Sequence, residues 1–314
     1  MTQEVYDNRQ VFADTLIDLA SANPRIVAVC NDSVGSSNLT GFRDEFPDRL
    51  INVGIAEQDM VGVGAGLANA GMIPFVSAAA PFLTGRATEQ IKADIAYSQA
   101  PVILCGQSPG MAYGALGPTH HSVEDYSWLR ALPGLDIVVP ADREETKQVL
   151  ELAAQGERPI YLRVGRTKVP DVNPAGYRVQ RGVWPVVRPG SDVAIIANGA
   201  MVAAALAAAD ILAEDGLEAH VLNAAWLSPL DEAAVASVAA SARGIVTVEE
   251  ANVAGGLGAA VASLIAQGKH RVPMEILGLR EFAPTGPVDY LFEHFGLTAP
   301  AIADAARKVH SRGQ

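Results

Sequence analysis

The stretch NVGIAEQDMVGVGAGLANAGMIPFVS, Asn52 to Ser77, reads as strand end, helix and next strand. LINVGI before it and IPFVSA at its close are short apolar runs of β-forming residues, and the glycine-rich GVGAGLANAG lies inside a helix predicted to begin near Glu57. The same alternation extends in both directions. RIVAV, PVILCG, LDIVVPA and PIYLRV are further strand-like runs, separated for the most part by helical patterns. Strands alternating with helices argue for an α/β fold with a parallel sheet covered on both faces. The series stops near Arg163, and VGRTKVPDVNPAGYRVQRGVWPVVRPGSD, rich in proline, glycine and charge, reads as a crossing segment with room for a short strand or two. A second alternation follows: DVAIIANG, an alanine-rich helix, EAHVLNA, a helix from about Asp231 to Arg243, GIVTVEE, a helix opened by GGLG, and PMEILGL. Two α/β domains with mainly parallel sheets are expected, at 1–175 and 191–314, joined by a linker at 176–190.

The length supports this division, since 314 residues is about twice the usual domain of roughly 150. The chain is 49% hydrophobic and 18% charged, which fits two densely packed cores and no disordered tract. Its net charge of −12, with lysines and arginines scattered rather than clustered, argues against a nucleic-acid partner. Cys30 and Cys105 each end an apolar run, as buried reduced thiols do, so a reducing compartment is expected. The polar MTQEVYDNRQ lacks the form of a signal peptide, and no apolar run approaches the roughly 18 residues of a membrane span. A cytoplasmic protein without a membrane partner is the simplest expectation.

Ligands of open α/β sheets bind at the carboxyl ends of strands, which selects Glu57, Ala78 to Arg86, Gly106 to His121, and Glu249-Glu250. Gly106-Gln107-Ser108-Pro109-Gly110 matches the G-x-S-x-G pattern of serine hydrolases. A nucleophile elbow needs a helix after the serine and an N–H on the next residue. Pro109 has no N–H, and the glycines and prolines that follow predict a long loop. Neither GVGAGLANAG nor AGGLG has the spacing of a dinucleotide fingerprint. Close helix packing explains the first, and a helix start near another backbone the second. His120 and His121 are adjacent and point apart on most backbones, a poor metal pair. Glu57 opens a helix at a strand end, where a carboxylate stabilised by the helix dipole and a functional carboxylate are equally good readings.

NVGIAEQDMVGVGAGLANAGMIPFVS, PFLTGRATEQI and GALGPTHHSVEDYSWLRALPGLDIVVPAD together resemble the pyrimidine-binding domain of transketolases and of 1-deoxyxylulose-5-phosphate synthase. VEEANVAGGLGAAVASLIA and FGLTAPAIADAARK are similar to their C-terminal domain, so the resemblance spans nearly the whole chain in order. It implies a thiamine-diphosphate-binding pyrimidine fold followed by a transketolase C-terminal-like domain, thiamine diphosphate as cofactor, and ketol transfer between phosphorylated sugars. It implies that Glu57 bonds the aminopyrimidine, with a carboxyl raised by burial, that Phe82 stacks on that ring with Arg86 beside it, and that His120 faces the substrate. It places Arg9, Ser37, Ser108, His121 and Arg163 or Arg166 on the substrate side, where guanidinium groups suit phosphate.

Two departures sharpen the expectation. The family's GDG element, which the resemblance implies would bind Mg²⁺ and the diphosphate, does not occur in the sequence, and with Met1 so close to the matching region its domain is expected on another chain. The chain therefore reads as one subunit of a split transketolase, with Mg²⁺ ligands on a separate diphosphate-binding subunit and an α2β2 assembly. Leu116 stands where the family places an aspartate before GPTH, which removes a hydroxyl contact and makes a specialised sugar such as apulose 4-phosphate a candidate. The alternatives are a 2-oxo-acid dehydrogenase beta subunit, disfavoured by GPTHH, a synthase-like thiamine enzyme, and a silent regulatory partner, disfavoured by Glu57.

Overall fold

Residues 4–313 are described by the computed structural model. In the first half, the strands are β1 (Ile26–Cys30), β2 (Leu50–Asn52), β3 (Ile73–Ala79), β4 (Ile103–Gln107), β5 (Asp136–Val138) and β6 (Ile160–Val164). The second half supplies β7 (Val186–Arg188), β8 (Val193–Ala197), β9 (Ala219–Asn223), β10 (Trp226–Ser228), β11 (Ile245–Asn252) and β12 (Met274–Leu279). Between them run α1 (Asn8–Ala22), α2 (Thr40–Glu45), α3 (Glu57–Asn69), α4 (Ala80–Gln90), α5 (Asp125–Leu129) and α6 (Arg143–Ala153). They continue with α7 (Met201–Glu214), α8 (Glu232–Ser241), α9 (Leu257–Gln267), α10 (Val288–His294) and α11 (Ala299–Arg312).

The first sheet has the order β10-β5-β6-β4-β3-β1-β2 and the second β12-β11-β8-β9-β7. Every pairing is parallel except β10 with β5 and β7 with β9. The residues of β1, β3, β4, β6 and β8 are buried throughout, as strands covered by helices on both faces must be. The crossing segment does carry a strand: β7, inside the stretch expected as linker, closes one edge of the second sheet. β10 is more surprising, because it comes from the second half of the chain and extends the first sheet. Its three residues are too few to show a period in sequence, and Trp226, at 1% exposure, anchors them.

Local chemistry sets the helix starts. Asp7, Asp142 and Asp231 each accept an N–H in the first turn of α1, α6 and α8, the usual exchange of a side-chain oxygen for an unpaired backbone donor. α3 has no such side-chain cap and opens on Glu57 itself. Its glycines serve close packing: a methyl on Gly64 would lie 2.5 Å from Val76 Cγ2 of β3, an overpacking that costs about 1–3 kcal/mol.

Parallel register fixes where the site can form. Cys30 pairs with Ser77, and Ala79 with Gln107, so β1, β3 and β4 finish side by side. The residues that follow them, Asn31, the start of α4, and Ser108, share one edge of the sheet.

Candidate active site

Glu57 is 3% exposed, yet it lies on the wall of an open basin formed with Ile55, Ala56, Gln58, Gly62, Arg86 and Gln90. Its Oε1 accepts two hydrogen bonds, from Asn31 Nδ2 at 3.0 Å and from Arg86 Nη1 at 2.8 Å. Oε2 has no protein donor among the described residues. Burial pushes the carboxyl up, but the donors Asn31 and Arg86, helped by the backbone N–H of Glu57 and the Arg86 charge, more than reverse it, so Glu57 titrates below the ordinary glutamate value. The expectation of a raised carboxyl is thus corrected. Glu57 is held as an ion, because a guanidinium from α4 and the amide at the end of β1 both reach it.

From Glu57 a line of contacts leads across the sheet edge. The Arg86 guanidinium lies 4.1 Å from the centre of the Phe82 ring, one helical turn back on α4. Phe82 meets His120 edge-on, with ring centres 5.2 Å apart. His120 in turn meets Tyr113 at 6.0 Å, and Arg166 lies 5.2 Å from the Tyr113 ring. Thr119 Oγ1 and His120 Nδ1 are 3.0 Å apart, which leaves Nε2 as the ring nitrogen without a partner among the described residues. Glu57, Arg86, Phe82, His120 and Arg166 are therefore brought together, with Asn31 and Tyr113 as two members the sequence did not single out. Asn31 follows β1 directly, so the strand-end rule that selected Glu57 would have found it.

The remaining sequence-selected residues sit otherwise. Arg9 is half-buried and bonded to Asp7, twice through its side chain, at 2.7 and 3.2 Å. Ser37, His121 and Ser108 are buried, with the Ser37 and Ser108 hydroxyls and both His121 ring nitrogens unpaired. Burial holds the His121 imidazole below its ordinary value, which keeps it neutral near pH 7. Ser108 has a left-handed φ of +53°, as an elbow serine can, but an irregular loop follows it rather than a helix. Leu116 lies in a short turn and is 54% exposed.

Arg163 and Arg166 have opposite surroundings. Arg163 is 4% exposed and makes a bidentate pair with Asp125, donating also to the Ser122 carbonyl at 2.8 Å. Arg166 is exposed and has no ion-pair partner among the described residues. Of the acidic pair after GIVTV, Glu249 accepts from the N–H groups of Leu257 and Gly258 at 2.7 and 2.8 Å and from the Tyr126 hydroxyl at 2.7 Å. The helix start at GGLG is thus filled by the chain's own carboxylate.

Residues 4–172 match the model of the transketolase pyrimidine-binding domain, and residues 182–302 that of the transketolase C-terminal domain. The chain belongs to the transketolase family. Among its relatives, one of the subunits of the apulose-4-phosphate transketolase of Phocaeicola vulgatus is 41% identical over 95% of this chain and 96% of its own. The 6-deoxy-6-sulfo-D-fructose transketolase subunit of a Clostridium species is 37% identical over 97% of this chain and 94% of its own. A solved structure described as a split-gene transketolase, an inactive beta4 tetramer, superposes with a TM-score of 0.90 at 36% identity, covering 98% of this chain and 99% of that one. These transketolase relatives have this chain's length. A 1-deoxy-D-xylulose-5-phosphate synthase of Geobacter sulfurreducens, 38% identical over 94% of the chain, is matched over only 47% of its length.

No helix among the described residues is long and apolar enough to cross a membrane. Nor does any group of three or more His, Cys, Asp or Glu among them have the arrangement of a metal site.

Proposed function

We propose that this transketolase-family chain is the pyrimidine-binding subunit of a two-chain, thiamine-diphosphate-dependent enzyme that transfers a ketol unit between anionic sugars. One observation carries the reading: a buried, ionised Glu57 that keeps one oxygen free toward an open basin, beside the half-buried ring of Phe82. A carboxylate with a spare acceptor and an adjacent aromatic face fit a planar, protonated nitrogen heterocycle such as the aminopyrimidine.

In this reading Glu57 Oε2 holds the proton shared with that ring, while Asn31 and Arg86 fix the carboxylate and keep it basic. The cofactor, when bound, supplies the carbon nucleophile and electron sink that C–C cleavage of a ketose requires. His120 presents Nε2 to the oxygens of the sugar, oriented by Thr119, Phe82 and Tyr113. Arg166 is the better phosphate residue of the two arginines, because its fork is unspent, while both oxygens of Asp125 already occupy Arg163. Arg9, Ser37, Ser108 and His121 line the substrate side in the same proposal, with the unpaired hydroxyls of Ser37 and Ser108 as spare donors. Leu116 offers no hydrogen bond to a substrate hydroxyl, which supports a sugar unlike those of the pentose series. The names of the two subunit-length relatives, for apulose 4-phosphate and a sulfonated fructose, support the same choice.

The metal and diphosphate end of the cofactor is assigned to a partner chain, in an α2β2 assembly. The test is reconstitution: the chain is mixed with the diphosphate-binding subunit, thiamine diphosphate and Mg²⁺, and ketose cleavage is followed for the wild type and Glu57→Ala. Activity is expected only from the pair and is lost in the variant. Full activity from this chain alone would sink the two-chain reading, and unchanged turnover in the variant would sink the role of Glu57.

A further inference from the structure

The loop that carries His120 belongs to the first domain by sequence but is fastened by the second. Gly286 N–H donates to the Gly114 carbonyl at 3.1 Å, and Asn252 N–H to the Val123 carbonyl at 2.7 Å. At the root of the loop the Met111 N–H donates to Glu250 Oε1 at 2.7 Å, a contact spanning 139 residues of sequence. Of these three fastenings only the last uses a side chain.

Glu250 fits this place closely. It lies near the end of β11 and is 9% exposed. Gly110 opposite it has φ +67°, and a side chain there would run into the Glu250 carboxyl carbon. The carboxyl group thus fills the space that Gly110 leaves and receives the next N–H along the chain. The charged groups around it come from two elements of the first domain. Arg163 of β6 donates to the Glu250 carbonyl at 3.3 Å and is itself paired with Asp125 of α5, while Arg166 lines the same crevice between the domains. With Arg163 committed to Asp125, the Glu250 side chain remains available to the loop.

We propose that Glu250 is a positioning residue for His120: by accepting the Met111 N–H it fixes the root of the Gly110–Val123 loop and so keeps the imidazole against Phe82 and Tyr113. The second domain, which places no residue in the contact line from Glu57 to Arg166, thereby acts on the site through the loop. The kinetic part of this inference rests on the ketol-transfer reading; the fastening of the loop does not.

The test uses Glu250→Ala, which removes the acceptor, Glu250→Asp, which withdraws it by one methylene, and Glu250→Gln, which retains an oxygen. In the reconstituted two-chain complex, Ala and Asp are expected to lower kcat roughly tenfold with the cofactor KM unchanged, while Gln stays within about twofold. On a His120→Ala background the Ala substitution should add less than about twofold, since the residue it positions is gone. An equal loss on both backgrounds overturns the proposal. Amide hydrogen exchange on the chain itself gives a readout independent of turnover: the non-proline amides of 110–123 should exchange faster in Glu250→Ala and Glu250→Asp, and as in the wild type in Glu250→Gln. Unchanged exchange in all three variants overturns the clamp. A wild-type complex without ketol transfer would instead remove the functional reading, and the exchange result would still decide the clamp.

Discussion

Two arginine–carboxylate pairs in the first domain differ in how completely they are satisfied. In Glu57–Arg86 the carboxylate is 3% exposed but its arginine is 47% exposed, and both bonds fall on one oxygen. In Asp125–Arg163 the side chains are 0% and 4% exposed, and the second Asp125 oxygen also takes the Tyr161 hydroxyl. The first pair leaves an acceptor facing an open basin, whereas the second leaves nothing over. A buried ion pair whose every atom is used holds structure, and one with a spare atom at a strand end is fit for chemistry. Two other buried acids, Glu145 of α6 and Glu250 of β11, differ again. Burial pushes the carboxyls of Glu145 and Glu250 up to about 7, the first against donors from Asn223, Ala141 and Tyr177, the second against Met111 N–H and the Arg163 charge. Glu57 is held ionised, and these two are poised to take up a proton.

The sharpest way to break this contrast is at Glu57. Glu57→Gln should lower ketol transfer by the complex about 10²–10⁴-fold, the scale of general acid–base catalysis, and barely move the thermal midpoint of the chain. A fall in stability with turnover preserved would make Glu57 a structural residue after all. Arg163→Met should do the reverse, because it leaves Asp125 charged and buried. Its cost is about 3–5 kcal/mol of stability, seen in denaturant unfolding, and much of it should return when Asp125→Leu is added. A smaller effect separates the pH responses. With folded values raised from an ordinary 4.5 to about 7, Glu145 and Glu250 bind more protons folded than unfolded between those limits. Stability should therefore fall as pH rises from about 4.5 to 7, by roughly 3 kcal/mol at most per group, and Glu145→Gln should flatten the curve. Glu57, lowered in the folded chain, contributes with the opposite sign: its share is present above the unfolded value and is lost as pH falls through the folded one. The mildest change is Arg166→Ala, expected to raise the KM for a phosphorylated ketose about tenfold and to leave an uncharged ketose unaffected, as steady-state kinetics would show.

Much of this candidate site's layout was legible in the chain itself. Glu57, Phe82, Arg86 and His120 each follow a strand-like run, and parallel pairing brings strand ends together whatever the loops do. Arg163 and Arg166, three positions apart at the end of β6, could not be told apart from sequence. Burial and the Asp125 pair divide them, and both depend on groups brought from elsewhere in the chain. Asn31, directly after β1, was within reach of the strand-end rule, whereas Tyr113 is one of many residues in a long loop and gains meaning only from the His120 ring it meets.

What the sequence determined by itself was the alternation of strand and helix, the two-domain layout, and the order of motifs that mark the family. These reside in short windows, where hydrophobic period, capping residues and glycine or proline act on neighbours. Tertiary structure decided the rest: β10 crossing to the first sheet, the ionised state of Glu57, the commitment of Arg163 to Asp125, and the fastening of the His120 loop to Glu250. Each depends on groups that lie far apart in sequence and meet in space, because a carboxylate's charge and bonding are fixed by its donors and its distance from water, and neither is written beside it in the chain.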